Sequence, residues 1–166
     1  MARRREELYS TDYGVGKLTL EGDLPVGHEL PDPQKSSPAV ESTDPWCDLL
    51  RRYFAGEPVD WPFDLERYVA WANLTVFEAD VLRALARVPY GRTASYRDLA
   101  VASGRPQACR AVGSVMARNQ LPVILPCHRV IYSDGSLGPY GDDPAWKRRL
   151  LQVEGAPTAG NAGAVA

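Results

Sequence analysis

The stretch SYRDLAVASGRPQACRAVGSVMARN, residues 95–119, predicts two helices joined by a short turn. Ser95 and Asp98 form a capping-box pattern that opens the first helix, and Gly104 ends it. The second helix is expected to start near Pro106 and to run to about the end of the stretch. Two short helices joined by a turn of about three residues are typical of a helix-turn-helix. Because such pairs also occur in plain bundles, the spacing alone leaves both structures open.

The second of these helices has little side-chain bulk. Arg110 is the one long cation among its small residues, which are Ala108, Ala111, Gly113 and Ser114. A glycine inside a helix costs about 1 kcal/mol relative to alanine, so a reason for Gly113 is expected. Tight packing against the protein core is one reason, and close approach of the helix backbone to a nucleic-acid groove is the other.

The charge of the chain is distributed unevenly. Residues 83–129 contain eight arginines, no lysine and one acid, Asp98, whereas the whole chain carries a formal charge of -2. An arginine-rich block suits contact with phosphates. A solvated basic face remains the alternative, since runs of like charge are common on surfaces.

Further helices are expected on both sides of this pair. A capping box at Thr75 opens a helix that ends at Gly91. A closing helix has Asp143 as its N-cap and ends at Gly155. The tail, residues 156–166, offers nothing to bury and is expected to be disordered.

The first part of the chain has a different pattern. Residues 17–21, KLTLE, alternate as in a half-buried strand, and weaker candidates flank them. Residues 31–45 are rich in proline and serine and predict a long loop, after which Asp44 caps a helix. We therefore expect an α+β fold in which residues 1–70 form a small antiparallel sheet domain and residues 71–155 a mostly helical one.

Composition excludes several classes of protein. The 166 residues have the apolar and charged content of a globular protein, no apolar run long enough to span a bilayer and no secretory signal. The three cysteines, Cys47, Cys109 and Cys127, are odd in number and widely separated, which argues against a disulfide framework or a zinc site. The chain is expected in the cytoplasm, without contact to a membrane.

Cys127, in the segment PCHRV, allows three interpretations. A metal ligand is excluded because too few other ligands are present. A buried inert thiol and a nucleophile remain. His128 is next in sequence and points to the opposite face of an extended segment, so it would reach the thiol through a bridging water. The second histidine, His28, is expected at the surface.

The segment PCHRV, preceded by RAVGSVMARN and followed by GPYG and KRRLLQVEG, resembles the active-site signature of the O6-alkylguanine-DNA alkyltransferases. The resemblance covers residues 75–155. It implies a DNA repair protein that flips a damaged nucleotide out of the duplex and transfers the alkyl group from O6 of guanine to its own cysteine, once per molecule. Double-stranded DNA containing O6-alkylguanine would be the partner of a monomer, with no cofactor and no metal. The alternative is a non-catalytic binder of alkylated DNA, like the alkyltransferase-like proteins, which replace the acceptor cysteine.

The resemblance also implies roles for individual residues. Cys127 would accept the alkyl group, and His128 would take the thiol proton through a water. Glu154 would orient His128, and Asn119 would brace the segment that bears the cysteine. Tyr96 would help to rotate the nucleotide and would donate a hydrogen bond to the departing base.

Other residues would contact the DNA and the flipped base. Arg110 would fill the gap in the duplex, and the four small residues of its helix would lie against the DNA. Pro122 would form an apolar wall of the pocket, and Tyr140 would lie on the loop that closes it. The backbone N–H groups of Val130 and Gly141 would stabilise the leaving base.

Overall fold

The computed structural model describes residues 2–157, which separate into two compact units. The first unit contains the residues up to Tyr68 together with Gln120–Ile124. The second contains Val69–Asn119 and the described residues from Leu125 onward. The sequence indicated two domains but not that the short segment before Cys127 would belong to the first.

Three antiparallel strands form the sheet of the first unit. They are β1 (Arg4–Thr11), β2 (Gly14–Glu21) and β3 (Leu24–Asp32), paired in the order β1-β2-β3. Leu18 and Leu20 alternate with polar neighbours on β2 and are fully buried. The strand at residues 17–21 and the α+β class are therefore confirmed, although the sheet is longer than the sequence pattern indicated.

Two helices follow the proline-rich loop. The first, α1 (Pro45–Phe54), has the expected N-cap, because the Asp44 carboxylate accepts a hydrogen bond from the Trp46 N–H at 2.9 Å. Its buried side chains include Leu50 and Tyr53. The next, α2 (Leu65–Trp71), was not predicted as a separate helix.

The capping boxes of the second unit both form. Thr75 and Glu78 open α3 (Val76–Ala86), and Ser95 opens α4 (Tyr96–Ala102). In each box the cap hydroxyl accepts from a backbone N–H while the acidic side chain accepts from the cap N–H. These reciprocal bonds fix both helix starts.

The helix with small side chains, α5 (Cys109–Ala117), begins about three residues later than predicted. Residues 103–108 form its connection to α4, against which it packs. Ala108 is the N-cap and provides no side-chain hydrogen bond. The predicted helix-turn-helix is present with a longer connection.

A short parallel pair of strands joins the start of α4 to the segment that bears the cysteine. In it β4 (Ala94–Ser95) pairs with β5 (Val130–Ile131). A single 3-10 turn, Cys127–Arg129, comes immediately before β5. Tyr96 therefore starts α4 beside the turn that begins with Cys127.

The closing helix is α6 (Ala145–Val153), with Pro144 as its N-cap. The prediction of Asp143 as the N-cap was one residue too early. Its carboxylate nevertheless accepts from the Ala145 N–H at 3.0 Å and so caps the same turn. Of the predicted disordered tail, Ala156 is buried, and residues 158–166 lie outside the described residues.

Candidate active site

Cys127 lies at the start of the 3-10 turn and is buried. Asn119, just beyond the end of α5, donates from Nδ2 to the Cys127 sulfur at 3.0 Å and to the Leu125 carbonyl at 2.9 Å. One amide group thus holds both the sulfur and the backbone two residues before it. This is the contact expected of a residue that braces the cysteine segment.

Burial raises the pKa of the Cys127 thiol. Hydrogen bonds from Asn119 and Tyr140 and the positive charge of Lys147 act in the opposite direction but do not outweigh burial. The thiol therefore needs a base to become a nucleophilic thiolate at neutral pH.

The Glu154 carboxylate accepts hydrogen bonds from three residues. Its carboxylate accepts from His128 Nε2 at 2.6 Å, from Arg129 Nε at 2.9 Å and Nη2 at 3.1 Å, and from the Gly91 N–H at 3.1 Å. Burial by itself would raise the pKa of Glu154, but the hydrogen bonds and charges of His128 and Arg129 hold it well below its usual value. Glu154 is therefore an anion at neutral pH.

His128 is fully buried, and its pKa is lowered by that burial. Glu154 raises this pKa, whereas the charges of Arg129 and Lys147 lower it. Because a carboxylate only accepts, the neutral ring donates from Nε2, and Nδ1 is then the basic nitrogen. His128 is thus available as a proton acceptor at physiological pH.

Tyr96 has a buried lysine as its partner. Lys147 donates from Nζ to the Tyr96 hydroxyl at 3.3 Å, and the same nitrogen lies 5.5 Å from the centre of the Tyr96 ring. The Tyr132 ring lies 5.2 Å away, centre to centre. Burial, followed by the nearby Tyr132 and Cys127, raises the pKa of Tyr96 to about 12. Tyr96 therefore keeps its proton and can donate it in a hydrogen bond.

The outer face of α5 is almost flat. Arg110, Ala111 and Ser114 are exposed, whereas Val112, Val115 and Met116 face the core. A Cβ added at Gly113 would meet the Tyr96 ring at 4.0 Å and nothing closer. Because that is an ordinary contact, packing inside the protein does not require glycine here. The other explanation for Gly113, close approach of the helix backbone to a nucleic-acid groove, stays a prediction.

The predicted pocket residues have different environments. A side-chain hydrogen bond from Tyr140 lowers the pKa of the Cys127 thiol, and Gly141 is exposed with φ +50°. The expectation for Val130 was wrong, because its N–H donates to the Cys127 carbonyl and closes the 3-10 turn. Pro122 belongs to the first unit, where its carbonyl accepts from His28.

Three residues of importance were missed by sequence reasoning. Arg129 was counted only as a charge, although it lies inside PCHRV and pairs with Glu154. Lys147 lies three and four residues before Leu150 and Leu151, a spacing that places it on the buried face of α6. The expectation that His28 lies at the surface was wrong, because it is buried on β3.

The described residues contain neither a candidate metal site nor a candidate membrane-spanning helix. No group of three or more His, Cys, Asp or Glu side chains in residues 2–157 has the arrangement of a metal site. None of the helices in this range has the length and apolar character needed to cross a bilayer.

Comparisons with known proteins place these features in a family context. Residues 76–156 match the family model described as 6-O-methylguanine DNA methyltransferase, DNA binding domain. The methylated-DNA–protein-cysteine methyltransferase of Mycobacterium tuberculosis H37Rv is 40% identical over 158 residues, which cover 86% of this chain and 88% of that protein. The protein of the same name from Methanosarcina barkeri is 46% identical over 105 residues, 63% of each chain.

Solved structures show the same similarity. The crystal structure of Mycobacterium tuberculosis O6-methylguanine methyltransferase matches with a TM-score of 0.73 at 32% identity, covering 93% of this chain and 96% of that one. The structure of Mycobacterium tuberculosis OGT in complex with DNA matches with a TM-score of 0.72 at 34% identity, covering 92% and 94%.

Proposed function

The chain belongs to the 6-O-methylguanine DNA methyltransferase family, and we propose that Cys127 is the residue that accepts the alkyl group from O6 of guanine in DNA. The protein repairs DNA by direct alkyl transfer, as a methylated-DNA–protein-cysteine methyltransferase. The observation that carries the assignment of Cys127 is its position between Asn119, which bonds its sulfur, and His128, which lies in the same turn and is held by Glu154 at the end of α6.

The transfer is an in-line displacement. The Cys127 sulfur attacks the alkyl carbon, the new C–S bond forms, and the bond between that carbon and O6 breaks with its electrons passing to guanine. The thiol proton passes through a water to Nδ1 of His128, whose Nε2–H is held by Glu154. Asn119 and Glu154 act through their neighbours and are positioning residues.

The departing guanine carries negative charge and needs hydrogen-bond donors. The Tyr96 hydroxyl suits this role, because its oxygen accepts from Lys147 while its own proton remains to be donated. The Gly141 N–H, on the exposed loop after Tyr140, is proposed as a second donor. The Val130 N–H has no such role, because it closes the turn at Cys127.

The flat face of α5 is the proposed docking surface for DNA. A base inside a duplex hides O6 from a protein pocket, so the nucleotide must leave the stack at a cost of a few kcal/mol. Exposed Arg110 can occupy the vacated space, because its neighbours on the helix carry no bulk, and the small residues let the backbone approach the groove. The proposed substrate is therefore duplex DNA containing O6-alkylguanine, bound by a monomer in the cytoplasm.

Each molecule reacts once. The product of the transfer at Cys127 is a thioether, which has no good leaving group, so the free thiol is not restored. The required stoichiometry is one alkyl group per chain.

The test is incubation with duplex DNA that contains O6-methylguanine, followed by mass measurement of the cysteine peptides. The peptide with Cys127 should gain one methyl group, while those with Cys47 and Cys109 should not. Cys127→Ser should bind the same duplex and gain nothing. Folded wild-type protein whose Cys127 peptide stays unmodified would contradict the proposal.

A further inference from the structure

We propose that His28 is a positioning residue for alkyl transfer, holding the segment Gln120–Ile124 in the conformation that leads into Cys127. The inference rests on the proposed function of Cys127. His28 lies on β3, and the segment belongs to the same unit as that strand. The side chain therefore acts on the backbone that precedes the cysteine, not on the reacting atoms.

Hydrogen bonds determine the state of the His28 ring. Its Nδ1 lies 2.6 Å from the Pro122 carbonyl, which can only accept, so Nδ1 carries the proton. Its Nε2 lies 2.6 Å from the Tyr9 hydroxyl and, in the neutral ring, must accept from it. The backbone of His28 also donates to the Gln120 carbonyl at 2.8 Å. The segment is therefore held by a main-chain bond and by a side-chain bond from one residue.

The surroundings of the ring keep it neutral. His28 and Tyr9 are both buried, and burial lowers the pKa of His28 to about 4, although Pro122 and Glu29 act to raise it. A protonated ring would turn Nε2 into a donor facing the Tyr9 hydroxyl. The neutral ring with its proton on Nδ1 donates to the Pro122 carbonyl and accepts from the Tyr9 hydroxyl at the same time.

The segment needs to be held because its backbone is strained. Val123 has φ +78°, a left-handed conformation that is unfavourable for a β-branched residue and persists only when neighbours enforce it. Leu121, Val123 and Ile124 are buried, and the His28 side chain bonds the carbonyl just before Val123. Without the bond from His28 to Pro122, the residue next to Val123 is no longer held in place.

The strain is located where it can affect the cysteine. Asn119 and Leu125 flank the segment and are joined by the 2.9 Å bond of the Asn119 amide, which also holds the Cys127 sulfur at 3.0 Å. A change in the path of the five residues between them would alter this bond. The expected effect is on the transfer step and not on DNA binding, which we assign to α5.

The experiment compares His28→Phe with His28→Asn, because the asparagine Nδ2 can take the place of Nδ1 as donor to Pro122. The single-turnover rate is measured with saturating O6-methylguanine duplex, and the dissociation constant for that duplex in the Cys127→Ser background. We expect the transfer rate of His28→Phe to fall about tenfold, while its dissociation constant for the duplex changes less than about twofold. His28→Asn should recover most of the transfer rate. A folded His28→Phe protein with the wild-type rate, or with rate and affinity lowered together, overturns the inference.

A second measurement does not depend on folding of the phenylalanine variant. The 15N spectrum of wild-type protein should show His28 neutral at pH 7 with its proton on Nδ1, and Tyr9→Phe should keep that tautomer, because the Pro122 carbonyl still accepts from Nδ1. A proton on Nε2 in the wild type overturns the inference. Because this spectrum needs no repair activity, its result is independent of whether Cys127 accepts an alkyl group.

Discussion

Arg129 and Glu154 form a buried bidentate ion pair, with Arg129 Nε 2.9 Å from one carboxylate oxygen and Nη2 3.1 Å from the other. The same carboxylate accepts from His128 at 2.6 Å. Arg129 balances the charge of Glu154, so that the histidine can orient on a carboxylate without being forced into its protonated form. The pair therefore holds the His128 ring in place while the charge of Arg129 helps to keep that ring neutral.

Replacing Arg129 by methionine should lower the free energy of unfolding by about 3–5 kcal/mol, because the buried Glu154 anion loses its partner. Urea denaturation measures this change. Arg148→Met on the exposed side of α6 is the matched control and should stay within about 0.5 kcal/mol of wild type. Equal effects of the two substitutions would show that the buried pair is not needed for the fold.

The dependence of the transfer rate on pH should identify His128 as the base. Because the pKa of His128 is lowered from 6.5, the ring is neutral above that pH, and the rate with saturating DNA should be level between about pH 6.5 and 8 and fall only in more acid solution. His128→Asn leaves only spontaneous thiolate formation, so its rate should rise about tenfold per pH unit over that range. The same slope in the wild type would show that His128 is not the base.

The sequence was most informative where a structure depends on neighbours in the chain. Both capping boxes and the Asp44 cap were predicted, because each involves residues within three or four positions. The PCHRV segment likewise identified Cys127 and His128. The start of α5 was placed too early because Ala108 offers no side-chain signal for an N-cap.

Contacts between distant residues left no such signal. Arg129 and Glu154 are 25 residues apart, Tyr96 and Lys147 are 51 apart, and His28 and Pro122 are 94 apart. No local pattern shows that a histidine on an edge strand bonds a carbonyl near the active-site cysteine. Helical spacing could have placed Lys147 on a buried face, but not opposite Tyr96.

Replacing Lys147 by methionine should stabilise the protein and slow alkyl transfer. Burial lowers the pKa of Lys147 from 10.5 to about 8, because the charged form is disfavoured in the folded state. The free energy of unfolding therefore rises as the pH increases from 8 to 10.5, where only the unfolded chain still binds this proton. At pH 7 the variant should gain up to about 3 kcal/mol. Denaturation at pH 7 and pH 10 gives the two values, and the stability difference should shrink at the higher pH.

The transfer defect of the same variant tests the contact with Tyr96. Without Lys147 the phenol donates less effectively to the guanine anion, so transfer from O6-methylguanine should slow more than methylation of Cys127 by methyl iodide, whose leaving group needs no hydrogen bond. Equal slowing with both reagents would show that Lys147 acts on the Cys127 thiolate and not through Tyr96.

Replacing Arg110 by alanine should affect the two kinds of substrate differently. Transfer from duplex DNA requires the nucleotide to leave the stack, whereas free O6-alkylguanine needs no flipping. We expect a loss of about tenfold or more on duplex DNA and little change on the free base, measured as single-turnover rates. Equal losses on both substrates would refute a role of Arg110 in base extrusion.

Replacing Gly113 by alanine separates the two explanations for the small residues of α5. The added Cβ meets only the Tyr96 ring, at 4.0 Å, and alanine is favoured over glycine inside a helix, so the protein should gain about 0.5–1 kcal/mol of stability. If the helix backbone approaches a DNA groove, the same methyl group intrudes there, and the affinity for duplex DNA should fall about tenfold. Thermal denaturation and DNA titration of one variant therefore give opposite changes. A destabilised protein would indicate that internal packing requires the glycine, and an unchanged affinity would show that DNA does not come close at this position.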